Sequence, residues 1–540
     1  MADDDRPEPD LAPDLAPEPA TEPALEPEPA PEPAPEPDSS AAAPRARGIG
    51  RTVTVISLRV VRGLVGAAAA LAVILAVGFV PLPTVGIAPL AVRVEPQPAD
   101  LLALCSGALL RLGDDAGENA GQPTAVGVPE LTVAASGGSV ERSALGQSDA
   151  GTGGTPQAPV ALRVASSANA LLSVAQSQNA TGEGGLRGFA AASCPEPTSS
   201  AWLVGGATTV GRTTLLLLAN PTAVTAQVTV SMWGESGPVT APGMSGISVP
   251  AGGQRVLPLS GFAPGLSSPV LHVEARGGQV VAALQTSVIR VLDPGGVDLV
   301  SAGAPPARAV TIPAVRIFDE QGVSSSLGIA GYDDLEAVLR VGNPGEAEAK
   351  VEVSVVPAAA GGSATSFDLE IDPGGVLDTP LAAALPLGAA PFSDGSYTVT
   401  VTSDQPVVAG VRTSTATTPS SDADGGLQPG RSDLAWAASA PALRGDVAVA
   451  VADGPAPMLA LAAADGLAHT VTLTPLGAGN ALTLAVPASG SLAVAVAPGG
   501  YRLTGTAGVA AALSFAGAGA LAGYPLASPR EADSVIVVRP

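Results

Sequence analysis

Histidine and cysteine occur only twice each in this 540-residue sequence, and lysine only once, at Lys350. Two imidazoles and two thiols cannot build a Cys/His metal cluster, so no metal is expected and no cofactor is indicated. Basic residues number 25 against 49 acidic ones, a net charge of −24. That balance removes the cationic surface needed to neutralise phosphates, so no nucleic-acid partner is expected. Aromatic residues make up 3% of the chain, and the core must therefore be built from Ala, Val and Leu. Helical periodicity is nearly absent outside one apolar run.

What is present falls into regimes. Hydrophobic residues make up 46% of the chain, enough for a large core, and the length suggests three or four domains. Residues 1–44 hold 13 Pro and 13 acidic residues against one Arg. Such a segment cannot bury enough apolar surface to offset its ordering entropy, and a disordered, extended acidic tail is expected. The sign then reverses. Arg45, Arg47, Arg51, Arg59 and Arg62 occur with no acid between residues 45 and 62. Gly63 to Val80 follows without a charge, closed by Pro81 and Pro83. Eighteen uncharged residues just suffice to span a bilayer. The flanking arginines predict one membrane pass over 63–83, a cytoplasmic N-terminus and an extracytoplasmic remainder. A cleavable signal peptide shares this layout, but its charged region is normally short. The reading favoured is an uncleaved signal-anchor.

The exported part is repetitive. Four hairpin-like stretches align, each a pair of short runs: Pro159–Val164 with Ala170–Ser177, Pro269–Glu274 with Val280–Ser287, Ser396–Val401 with Val407–Ser414, and Gly500–Thr504 with Val509–Ser514. Other landmarks keep step. Asn220-Pro221 matches Asn343-Pro344, and Pro250-Ala251-Gly252-Gly253 matches Asp372-Pro373-Gly374-Gly375. After each Asn-Pro the sequence alternates, with Val228, Val230 and Met232, then Val351, Val353 and Val355. Period two signals half-buried strands, and the Asn-Pro, Pro-Gly-Gly and Asp-Gly steps signal turns. The expected fold class is all-β: tandem immunoglobulin-like β-sandwich repeats behind one transmembrane helix. A propeller-like arrangement is the alternative, although propeller blades are usually much shorter. The repeats are placed at 84–200, 201–296, 297–430 and 431–540.

Cys105 and Cys194 fall near the two ends of the first repeat. In an oxidising compartment two thiols in one domain pair, so a Cys105–Cys194 disulfide is expected. Catalytic machinery is hard to find. The two imidazoles, His272 and His469, lie in or at strands and read as exposed strand residues. No Gly-x-Ser-x-Gly elbow or Ser-x-x-Lys occurs. Gly517 to Ala522 mimics a dinucleotide fingerprint but sits in a β context. Asp372, Asp394, Asp404, Asp453 and Asp465 fall at turns, which explains them without catalysis. Asp422-Ala423-Asp424-Gly425 has part of a calcium loop but lacks its later ligands. Trp202 and Trp436, each after an Ala, occupy similar places near the start of their repeats and read as core residues. No catalytic residue is assigned.

The run Ser193-Cys194-Pro195, Ala201-Trp202-Leu203-Val204-Gly205-Gly206, Gly211-Arg212-Thr213-Thr214 and Ala219-Asn220-Pro221 resembles a known family. So do Val249–Gly253 and Val281–Gln285. The family comprises actinobacterial membrane-anchored or secreted proteins of unknown function, and the resemblance covers about residues 85–530. It implies an extracytoplasmic, cell-envelope setting, with genes often near those for glycosyltransferases and mannose-phosphate metabolism. Its motifs are turns and strand edges, and they imply no site residues. The acidic Pro-Glu tail departs from the family's pattern. The expected function is a non-catalytic envelope scaffold or accessory protein whose partner is an envelope protein or glycan. Rival readings are a polysaccharide-acting enzyme using a carboxylate pair and a plain spacer.

Overall fold

A computed structural model describes residues 63, 65–72, 92–94, 100–113, 121–167, 170–359, 364–385, 392–421, 427–529 and 536–538. The chain divides into two units, Met1–Pro89 and Leu90–Pro540. In the first unit, the described residues 63 and 65–72 are helical. No helix among the described residues is long and apolar enough to cross a membrane. The acidic tail, the basic stretch and most of 63–83 lie outside the described residues.

The second unit is almost entirely β-structure, with one short α-helix, Glu320–Ser326, among its described residues. Its strands form pairs of antiparallel sheets that recur along the chain. The second repeat shows the pattern. One sheet runs Ser200–Val204, Val270–Gly277, Ala226–Gly234, with Gly237–Val239 and Ile247–Val249 on the last of these. The facing sheet runs Gly253–Pro258, Arg212–Asn220, Val281–Arg290, Asp293–Val300. Val228, Val230 and Met232 point into the core between them, against Leu203, Leu216, Leu218, Leu271 and Leu284. Their neighbours Gln227 and Thr229 are exposed, as period two requires.

The third and fourth repeats keep this order. In the fourth, Val447–Val451, Gly499–Thr504, His469–Pro475 and Leu482–Val486 face Ser491–Ala495, Met458–Ala463, Val509–Gly517 and Ala520–Pro525. The first repeat has a reduced form. Leu101–Cys105, Val160–Val164 and Val140–Ala144 face Glu130–Ser136, Leu171–Thr181 and Arg187–Ser193.

This partition departs from the immunoglobulin expectation. An immunoglobulin sandwich groups strands A, B, E and D against C, F and G. Here the sixth strand pairs with the first and third, and the second pairs with the fifth and seventh. The aligned stretches read as hairpin-like in the sequence are the sixth and seventh strands, and they lie in opposite sheets. In the third repeat these two are one strand, Gly395–Ala416. Its first half pairs with Ala349–Pro357 and its second half with Val338–Gly342. The switch falls around Pro406, which has no N–H to offer either ladder. Pairing also moves the repeat edges. Asp293–Val300 straddles the 296/297 boundary read from the sequence. Ser432–Ala438 hydrogen-bonds to Gly410–Ala416 and closes the third repeat, beyond residue 430.

The repeats do not form an open train. The first sheet of each packs on the second sheet of the next. Leu104 and Ala161 meet Ala219 and Val281. Trp202, Val204 and Val270 meet Val376 and Val408. Ala314 meets Ala460 and Ala512. The fourth repeat returns to the first, where Val447, Val449 and Leu503 share a cluster with Ala134, Leu171 and Ala175. Four repeats thus close a ring. That closure is what the propeller-like alternative has in common with this fold, although each repeat here contributes two sheets.

Candidate functional site

The ring has a centre, and four strands make it. Arg187–Ser193, Asp293–Val300, Ser432–Ala438 and Ala520–Pro525 are the closing strands of the four repeats, and each contacts the next around a cycle. Asp433 lies at their meeting point, fully buried. Its Oδ2 accepts the N–H of Phe189 at 2.7 Å and of Leu521 at 2.8 Å. Its Oδ1 accepts the N–H of Val297 at 3.1 Å and of Leu434 at 2.9 Å. One donor comes from each repeat. Gly188 and Gly296 occupy equivalent places, with φ of 134° and 141°. A Cβ at either would strike the Asp433 side chain. Burial pushes the Asp433 pKa well up, and the four N–H donors pull against that shift.

A second carboxyl lies two positions further along the neighbouring closing strand. Asp298 is fully buried, and its Oδ2 accepts the Trp436 N–H at 2.7 Å. Its Oδ1 has no partner. Burial raises its pKa to about 7, with the backbone donors of Trp436 and Leu299 opposing.

Arginines hold the second repeat to the third. Arg340 is the largest fully buried side chain. Its guanidinium forks onto Asp378 at 2.7 and 2.8 Å. It also donates to the carbonyls of Gly206, Pro269 and Ser267 in the preceding repeat. It stacks over Trp436 at 4.6 Å from the ring centroid. Asp334, in the loop after the helix, receives Arg290 at 2.9 and 3.0 Å and Arg212 at 2.5 Å. Its backbone carbonyl accepts from Arg412. Burial would raise the Asp334 pKa, but Arg290, then Arg212 and Arg412, outweigh it and hold the carboxyl below its usual range. The carboxylates of these clusters are engaged by their own arginines, while the buried Arg412 Nε has no partner.

The residues singled out in the sequence are dispersed. Cys105 and Cys194 form a disulfide, with Cα atoms 4.5 Å apart. His272 stacks on Trp202 at 4.3 Å between centroids, and its Nε2 lies 2.9 Å from Ser200 Oγ. Burial lowers its pKa, and Glu274 opposes. Exposed Ser200 and half-buried His272 sit on the sheet face that bears Trp202, and among the described contacts no carboxylate orients the ring. His469 pairs with exposed Asp465 at 2.7 Å, and that hydrogen bond holds the carboxyl below its usual range. Gly517 to Ala522 makes the turn between two antiparallel strands, with no helix following. Asp394 accepts the N–H groups of Asp319 and Glu320 at the start of the helix. Asp404 accepts that of Lys350. Asp422 to Gly425 lie outside the described residues. The described residues hold no group of three or more His, Cys, Asp or Glu placed to bind a metal. Trp436 packs in the core, but on the closing strand of the third repeat. Trp202 is on an opening strand and packs between repeats, so the two are not equivalent.

Sequence reading passed over Asp433, Asp298, Asp334 and Arg340. A signal was there for two of them. Asp298 stands in Val297-Asp298-Leu299-Val300 and Asp433 precedes Leu434-Ala435-Trp436. An acid inside an apolar strand is placed to be buried, and a buried acid needs partners.

One cavity, of about 210 Å³, opens where three closing strands end. Leu101, Leu172, Cys194, Ser301 and Leu526 line it, and Glu196 is at its wall.

Such an arrangement defines a class: a closed ring of two-sheet β repeats with a sealed, hydrogen-bonded axis. The chain belongs to DUF5719, a family of unknown function whose model matches residues 150–497. No curated protein matches the chain. Among solved structures, it is similar to Thermotoga maritima 1070 at 19% identity, over 25% of this chain and 93% of that one, with a TM-score of 0.17. It is also similar to a tetra-tandem repeat in the extending region of a large adhesion protein. There the identity is 14%, over 75% of this chain and 93% of that one, with a TM-score of 0.10.

Proposed function

We propose that this chain is a non-catalytic scaffold of the bacterial cell envelope. In this reading a signal-anchor within residues 63–83 holds it, with residues 1–44 in the cytoplasm and the ring outside. Its partner is an envelope protein or glycan. The observation that carries the reading is the sealed axis. A propeller-like ring keeps a central channel that is available to ligands. Here Asp433 and the N–H groups of Phe189, Val297, Leu434 and Leu521 fill that position. Recognition then falls to the loops at the two ends of a rigid body, where binding residues usually sit. The order of a basic stretch before an apolar run supports the orientation, and a disulfide suits an oxidising compartment.

Crosslinking in intact cells, followed by identification of what is captured, tests the role. Recovery of an envelope protein or glycan supports it. No partner, together with an unchanged envelope after deletion of residues 90–540, refutes it. Protease added outside intact cells tests the orientation, and removal of residues 1–44 would overturn it. Loss of the phenotype on replacing His272 or His469, with folding kept, would favour the enzyme reading.

A further inference from the structure

We propose that a pocket at the seam where the fourth repeat closes on the first binds a neutral sugar. The inference rests on the reading of an envelope glycan as partner, and it names the place and the chemistry of that recognition.

One sheet face of the first repeat makes a wall. Glu130 stands opposite Ser177 in the ladder of Glu130–Ser136 with Leu171–Thr181. Asn179 follows two residues on and so shares that face; it stands opposite Phe189 of the closing strand. The fourth repeat supplies the other wall, Asp453-Gly454-Pro455, in the loop after Val447–Val451. Phe189 meets Phe515 of that repeat at 5.6 Å between ring centroids and anchors the seam. A Cβ at Gly454 would strike the Phe189 ring, and one at Gly127 would strike Gln178. Two glycines thus keep the space open. The cavity holds about 470 Å³, within the usual range of small-ligand sites.

The polar groups of this pocket are idle, with one exception. Gln178 is committed, accepting the Leu109 N–H and donating to the Val126 carbonyl. Glu130, Ser177, Asn179 and Asp453 also line the pocket. Among the described residues, no hydrogen bond or ion pair engages their side chains. Two carboxylates, an amide and a hydroxyl accept from several O–H donors and donate in return. That set complements the hydroxyls of a sugar ring, and bonds to an ionised carboxylate are the stronger kind. Val128, 53% exposed, and Pro455 add apolar surface for the C–H face of the ring. No described basic residue lines the pocket, so its two carboxylates repel a phosphate or a uronate. Calcium fits poorly, because it takes about six to eight oxygens in one tight shell. The described residues hold no group of three or more acids or other metal ligands. Glycoside cleavage needs one carboxyl shielded from water so that it keeps its proton. Glu130 and Asp453 are both exposed, so the pocket holds a sugar without cutting it.

Neutral and acidic oligosaccharides, released from the envelope of the cells that make the protein and dye-labelled at the reducing end, are the probes. Fluorescence anisotropy reads their binding to the full chain, kept in a detergent without a sugar headgroup. The neutral fraction should bind with EDTA present and be recovered at its original length. Glu130→Gln and Asp453→Asn should each raise the dissociation constant about tenfold. Their thermal melts should not move, because neither carboxylate holds another part of the fold. Glu352→Gln, on a sheet face of the third repeat, should bind as the wild type does. Should either pocket variant melt early, Asn179→Ala replaces it with the same expected loss. Neutral sugar bound equally by wild type and pocket variants overturns this site and leaves the glycan reading standing. No neutral sugar bound at all overturns the site and the glycan reading together, leaving a protein as the partner. Preference for the acidic fraction, a need for calcium or a shortened product also overturns the proposal.

Discussion

The Asp433 carboxylate accepts the backbone N–H of Phe189 at 2.7 Å, across 244 residues of sequence. The same two oxygens reach Val297 in the second repeat and Leu521 in the fourth. A single side chain therefore ties the closing strands of all four repeats, and the ring's geometry depends on it.

Replacing Asp433 by Asn turns one acceptor oxygen into a donor facing N–H groups. Each buried N–H left unpaired costs about 1–3 kcal/mol. A loss of roughly 2–6 kcal/mol is expected in urea unfolding, with the ring still a single cooperative unit. A loss below about 1 kcal/mol would mean the cradle contributes little.

Asp298 predicts a pH dependence of opposite sign to the usual carboxylate. Its folded pKa of about 7 lies above the ordinary aspartate value of about 3.9. Between those values the folded state binds more protons than the unfolded one. Stability therefore falls as pH rises from about 4 through 7 and stays lower above it, by roughly 4 kcal/mol for this group. Asp298→Asn should flatten that slope and stabilise the protein at pH 8, because a neutral amide carries no buried charge. Urea midpoints for the two proteins at pH 5 and pH 8 decide it. Parallel slopes would remove Asp298 as the cause.

Arg340 meets two carboxylate oxygens, three carbonyls and an indole face. A lysine supplies one compact charge and no planar fork. Arg340→Lys should cost about 3 kcal/mol or more, since Asp378 and the carbonyls lose their donors. Thermal unfolding of the variant, with Arg255→Lys as a control at a more exposed ion pair, tests whether the cost belongs to burial.

The Cys105–Cys194 bond closes a loop with a sequence separation of 89. Chain entropy assigns it roughly 4–5 kcal/mol. Alkylation without reductant should label neither thiol. With reductant and denaturant both should react, and the reduced protein should unfold at lower urea. Labelling of both thiols in the folded, unreduced protein would refute the pairing.

The sequence by itself determined the local structure. Val228, Val230 and Met232 alternate because a pleated strand sends successive side chains to opposite faces. Asn220 and Asn343 mark turns, and each side chain bonds the backbone around it. The pairing of two thiols in one repeat was legible, and so was the recurrence of about four similar units. These properties depend on neighbours a few residues away.

Only the tertiary structure decided which sheet each strand joins. Alternation is the same for a strand in either sheet, so the sixth and seventh strands read as a hairpin although they lie on opposite sides of the core. It also decided that the repeats close on themselves. Ring closure rests on Ala134 and Leu171 meeting Val447 and Leu503, pairs separated by hundreds of residues and chemically indistinct from any other small apolar contact. Asp433 took its role from that closure. Its carboxylate is an ordinary strand acid until four N–H groups from four repeats converge on it, and no local pattern encodes a convergence made by parts of the chain so far apart.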